Sequence, residues 1–146
     1  MTIRVLFLCA FLAQALAINF HRCDNLPAPT SVVVPGCTVM PCEVPNLTDF
    51  SFAVHFASPF ATGSLDVDVS ARLGDFNLPY FTPDHLRNGC NNINAQCPLA
   101  AGQSVVLSGT APVEAPLTRV TVTMRFEITG DEGRPVACFA ADVRLV

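Results

Sequence analysis

Val120-Thr121-Val122-Thr123-Met124-Arg125-Phe126-Glu127-Ile128 alternates an apolar with a polar side chain at every step. Successive side chains of an extended chain point to opposite faces, so this run predicts a β-strand with one buried and one wet face. Gly130-Asp131-Glu132-Gly133-Arg134-Pro135 follows, rich in turn formers. The period then resumes with Phe139, Ala141, Val143 and Leu145 separated by Ala140, Asp142 and Arg144. Two one-faced strands joined by a short Gly-rich link read as an antiparallel hairpin. Upstream, Phe50, Phe52, Val54 and Phe56 alternate with Ser51, Ala53, His55 and Ala57, and Leu65, Val67, Val69, Ala71 and Leu73 alternate with Asp66, Asp68, Ser70 and Arg72. Shorter strands are expected at Ser31–Val34, Asn77–Phe81 and Gln103–Ser108. Several short antiparallel strands with one apolar face each predict an all-β sandwich, in which two sheets oppose their apolar faces.

The first residues read differently. Arg4 precedes the apolar run Val5–Ala13, and Ala15-Leu16-Ala17 has the small-x-small pattern of a cleavage site, so residues 1–17 are expected to be a signal peptide. The run is too short for a membrane span. Residues 18–146 suit one domain. The chain carries eight basic and twelve acidic side chains, a formal net charge of −4 and no lysine, which argues against a nucleic-acid partner. Half of its residues (51%) are hydrophobic although Trp is absent, more apolar material than a solid small core needs.

Past the leader, which holds Cys9, the cysteines are Cys23, Cys37, Cys42, Cys90, Cys97 and Cys138. An even set in a small exported domain implies three disulfides, and spacing alone leaves all fifteen connectivities open. His21, His55 and His85 have no Cys or carboxylate partner at a metal-ligand spacing, so no metal and no cofactor is expected. Asp66 and Asp68 share a strand face, but nothing in their surroundings would desolvate either, and no nucleophile elbow or phosphate loop occurs. The chain is therefore not read as an enzyme. Asn46-Leu47-Thr48 is the single glycosylation sequon, and two readings of Asn46 stand, a glycan acceptor or an unmodified Pro-Asn turn. The large rings on inward positions also leave two readings, a packed sandwich core or the lining of an apolar ligand pocket.

The ordered cysteines carry a resemblance. Phe20-His21-Arg22-Cys23, Gly36-Cys37-Thr38-Val39-Met40-Pro41-Cys42, Asn88-Gly89-Cys90, Cys97-Pro98-Leu99 with Gly102, and Ala137-Cys138-Phe139 follow one another across residues 18–146. In this the chain resembles the ML (lipid-recognition) domain family, in the branch of the Niemann–Pick type C sterol-transfer protein and the mite group-two allergens. The resemblance implies an immunoglobulin-like two-sheet sandwich with an internal apolar cavity, and the pairing Cys23–Cys138, Cys37–Cys42 and Cys90–Cys97. It implies a secreted lipid-binding and transfer protein for a sterol, fatty acid or similar neutral lipid, with the lysosomal lumen left open as its place of action. The implied lipid-binding residues are Val67, Val69, Val122, Met124, Phe126, Phe139, Ala141 and Val143 on the walls. Tyr80 or Phe81, with Val113 and Leu117, would form the mouth. The implied partners are a small hydrophobic ligand and a membrane or membrane-protein acceptor, the protein itself acting as a monomer. The spread of the arginines argues for neutral headgroups over strongly phosphorylated ones. The competing reading is an extracellular interaction or innate-immune recognition module without a transport role.

Overall fold

The computed structural model describes residues 17–114 and 117–146. The expected leader, apart from Ala17, lies outside the described residues.

The predicted hairpin forms the centre of the larger sheet. Strands β8 (Val120–Thr129) and β9 (Pro135–Leu145) pair antiparallel, with Val122 opposite Val143 and Phe126 opposite Phe139. Gly133, at φ +68°, makes the left-handed step that closes the link between them, a conformation open to glycine at little cost. On its far side β8 pairs with β5 (Asp66–Leu73), which pairs with β6 (Phe76–Leu78). The outer edge of β9 is shared by β1 (His21–Arg22), antiparallel, and β3 (Cys42–Val44), parallel. The second sheet is β2 (Ser31–Val33), β4 (Asp49–Ala57) and β7 (Ser104–Pro112), antiparallel in that order. The all-β, two-sheet sandwich expected from the alternation is the fold observed, and all three implied disulfides are present.

The inward positions of the long strands are buried: Phe52, Val54 and Phe56 of β4, Val67, Val69 and Ala71 of β5, and Val122, Phe126 and Ile128 of β8. Cys138 points away from this core yet is fully buried, because its disulfide partner Cys23 lies over it. The chain-end segment is fastened at the same place, where the Cys138 amide donates to the Pro27 carbonyl (2.8 Å).

Two boundaries differ from expectation. The strand expected over Asn77–Phe81 is Phe76–Leu78, since Pro79 has no amide to donate to a ladder. Tyr80 and Phe81 are thereby released from the sheet. Conversely, the strand expected to end at Ser108 runs on to Pro112, paired with β4 throughout. Its weak residue, Gly109, lies where the Leu86 side chain and the Phe52 ring press on the backbone. A Cβ there would come within 3.1 Å of the ring and closer still to Leu86. Gly109→Ala is accordingly expected to destabilise the fold by about 1–3 kcal/mol, the usual cost of overpacking, measurable by urea unfolding. A neutral result would mean that Leu86 moves aside freely.

On the outer face of the large sheet, Asp142 accepts from His21 Nε2 (2.9 Å) and from the Thr123 hydroxyl (2.8 Å). The His21 bond is the largest influence and holds its carboxyl below the usual range; burial opposes it, and the Thr123 bond adds a smaller lowering. A carboxyl depressed on folding contributes stability above its unfolded pKa and loses it as pH falls through the folded value. Asp142→Asn is expected to lower stability at neutral pH and to flatten the acid limb, the two proteins converging in acid, in denaturation series run at falling pH.

A candidate lipid cavity where the core divides

The buried apolar residues form two clusters. The larger spans both sheets around Phe52, Val69, Phe126 and Phe139; the smaller gathers Val44, Val122, Val143 and Leu145. Phe50 and Met124 touch both. Between the clusters lies a cavity of about 120 Å³.

Strand register explains its walls. On the large sheet Val69 stands opposite Phe126 and Ala71 opposite Met124, so these four side chains share one face. Val122 and Val143 continue that face into β9, and Leu145 and Val120 follow at the rim. The small sheet contributes Phe50 and Ala111, which are paired across β4 and β7. Small side chains at Ala71 and Ala111 leave the room that larger ones would fill.

Phe126 forms the floor. Its ring stacks on Phe139 at 4.9 Å with an interplanar angle of 1°, and meets Phe52 edge-on at 5.2 Å. Phe20 adds an edge contact to Phe139 from the chain-end side. Four rings so arranged pack the space beyond Phe126 without room for a ligand.

The third side is a loop segment. The short helix α1 (Asp84–Arg87) buries Leu86 against the cavity. It is tied to both sheets: the Val69 amide donates to the Thr82 hydroxyl (2.9 Å), and His85 Nε2 donates to the Thr110 carbonyl (2.6 Å). Arg87 Nε donates to the Thr82 carbonyl (3.2 Å), and Asn92 Nδ2 to the His85 carbonyl (2.9 Å). These bonds hold Pro79 and Tyr80 at the cavity edge. Tyr80 is half-buried, and burial pushes its phenol above the ordinary value, so the hydroxyl is neutral at physiological pH.

The mouth is completed by Val113, Glu114 and Leu117. Val113 is held by the turn before β4: its amide donates to the Thr48 carbonyl (2.8 Å), and its carbonyl accepts from Leu47 (2.7 Å). Asn46 of the sequon sits half-exposed in that turn.

Of the residues that the resemblance implies for lipid binding, the structure brings Val69, Tyr80, Val113, Leu117, Val122, Met124, Phe126 and Val143 to this cavity. Val67, Phe139 and Ala141 are instead buried in the packed cluster beyond the floor. Phe81 is 80% exposed and is not among the residues that line the cavity, whereas its neighbour Tyr80 is. Phe50, Ala71, Val120 and Leu145 line the cavity on the same inward period as the implied residues, so the alternation already marked them as candidates. Leu78, Pro79, Leu86, Ala111, Pro112 and Glu114 lie in loops, short elements or residues 109–112 of β7, where large apolar side chains are too few to mark a period.

The sequence profile of the ML domain matches residues 17–145. The NPC intracellular cholesterol transporter 2 homolog a of Drosophila melanogaster is 24% identical over 144 residues, covering 97% of this chain and 96% of that protein. Among solved structures, a Niemann–Pick type C2 protein from the Japanese carpenter ant superposes with a TM-score of 0.75 at 13% identity, over 88% of this chain and 99% of that one. Chicken MD-1 in complex with lipid IVa superposes at 0.58 and 14% identity, over 84% and 85% of the respective chains. With its alternating strands, its three bridges and a profile match over nearly the whole length, the chain belongs to the ML-domain family.

Proposed function

We propose that this protein binds a sterol, fatty acid or similar neutral lipid in the cavity between its sheets and carries it through an aqueous compartment. The observation that supports this most directly is the division of the core, which leaves an apolar hollow between two sheets that disulfides fasten at their margins. Transfer of apolar surface from water at roughly 25 cal/mol per Å² supplies the driving force, and no catalytic group is needed. Two similar proteins bear names that fit: a cholesterol transporter homolog, and MD-1 solved with lipid IVa. At about 120 Å³ the cavity is smaller than most ligand sites, which span roughly 300–1,000 Å³. Cargo of sterol size is therefore admitted only as the walls part. The loop-borne side, with Tyr80, Leu86, Val113 and Leu117, is the side able to yield, because the opposite wall is a continuous hydrogen-bonded sheet. The leader and the three bridges fit secretion through an oxidising compartment, and Asn46 is the proposed glycan acceptor there.

The test is to express the protein in secreted form, extract it with organic solvent and identify bound lipid by mass spectrometry, with uptake of a fluorescent sterol and a fluorescent fatty acid as the second arm. Lipid recovered in stoichiometric amount is expected. Absence of lipid together with no uptake of either probe would overturn the carrier reading in favour of an extracellular interaction module. On the same material, a mass loss on N-glycosidase treatment is expected, abolished by Asn46→Gln. An unshifted mass would leave Asn46 as a plain turn residue.

A further inference from the structure

The mouth of the cavity carries two polar side chains of opposite usefulness to a lipid headgroup. Glu114 is exposed at the rim and, among the described residues, forms no ion pair. Tyr80, a half-buried phenol on the wall, makes no side-chain hydrogen bond among them. No Arg, Lys or His is among the described residues that line the cavity. The nearest histidine along the wall, His85, has its ring committed to the Thr110 carbonyl. An amphiphile seated tail-inward against the Phe126 floor brings its head to Tyr80 and Glu114.

We propose that Glu114 selects the headgroup and Tyr80 helps to hold it, so that the cavity takes lipids ending in a neutral hydroxyl and turns away those ending in a carboxylate. This rests on the cavity being the lipid site, and it narrows the cargo within that reading. The chemistry is direct. A hydroxyl donates to the Glu114 carboxylate and accepts from the Tyr80 phenol, satisfying both groups. A fatty carboxylate has nothing to donate and meets a like charge, with no cation among the described residues that line the cavity. At a water-screened, exposed rim a like-charge contact shifts an equilibrium by about three- to fivefold.

The experiment compares 1-dodecanol with dodecanoate at pH 7.5, tails of equal length, as competitors for the apolar dye N-phenyl-1-naphthylamine. In the unaltered protein dodecanol is expected to be the stronger competitor. Glu114→Gln should reduce its advantage by about three- to fivefold, and Glu114→Arg should reverse the preference. Tyr80→Phe should weaken both competitors by about fivefold, the worth of one hydrogen bond, because an alcohol and a carboxylate both accept from the phenol. Glu114 is exposed, and Tyr80→Phe keeps the ring and removes only a hydroxyl that has no hydrogen-bond partner among the described residues, so these changes leave folding intact. An alcohol-to-acid ratio that stays the same in both Glu114 variants would overturn the headgroup inference while the cavity reading stood. If neither competitor displaced the dye, the cavity reading would fall, and this inference with it.

Discussion

Ala71→Phe is expected to abolish lipid uptake while leaving the sandwich folded. Ala71 is buried on β5, opposite Met124, and its methyl group faces the hollow between the two core clusters. A benzyl group there extends into space that is already apolar and unfilled, so the usual overpacking cost of about 1–3 kcal/mol is largely offset by new contacts. What the ligand loses is room. Keeping four methylenes of a tail out of the cavity costs it about 3 kcal/mol, roughly a hundredfold in affinity. The check pairs fluorescent-sterol and fatty-acid titrations with thermal unfolding of the same preparation. Unchanged affinity at unchanged stability would place the ligand elsewhere on the molecule. The same substitution at Val67, beyond the Phe126 floor, should do the reverse, costing stability by overpacking with little direct effect on uptake.

Removing the Cys23–Cys138 bridge, by Cys23→Ala with Cys138→Ala, is the second large effect. The bridge spans 115 positions and fastens the segment before β2 across β9. Cross-linking a loop of that length removes denatured-state entropy worth about 4–5 kcal/mol. For a domain of this size the loss corresponds to a fall in melting temperature on the order of 15 °C. The Cys37–Cys42 bridge closes a separation of only 5, for which the same reasoning gives about 2 kcal/mol. Thermal and urea unfolding of the two double variants side by side is the measurement. Equal losses would mean that native-state packing around Cys138, and not loop closure, sets the contribution. The functional consequence follows from position: Phe20 and the chain-end segment support Phe139, and Phe139 backs the Phe126 floor. Loosening them should make uptake less selective for tail length as well as weaken the fold.

Much of the fold was legible because β-structure writes its two faces into alternate residues. Val122 and Phe126 were marked inward by the residues around them, and both are buried. The elements that escaped notice, β1, β3 and α1, are two to four residues long and too short to show a period. Pro79 carried a readable signal, the end of a strand, and beyond it Tyr80 borders the cavity while Phe81 is exposed. Leu86 and Glu114 carried none. A leucine in a four-residue helix and a glutamate in a loop become cavity residues only through hydrogen bonds to distant strands, such as Thr82 with Val69 and His85 with Thr110.

The sequence by itself determined the strands, the side on which each residue of a strand would lie, and, with the resemblance, the three bridges. A side chain's face is a local matter, following from the parity of its position; the pairing of the bridges came only with the resemblance, since cysteine order leaves fifteen connectivities open. Only the tertiary structure decided where the two apolar faces meet and where they stand apart. Phe126 and Phe139 occupy the same kind of inward position as Val122 and Val143, yet the two rings stack and close the core while the two valines border a hollow. The difference lies in how far apart the sheets are at each level and how much side-chain volume reaches across. Both are sums over residues remote in sequence, and no window along the chain contains them.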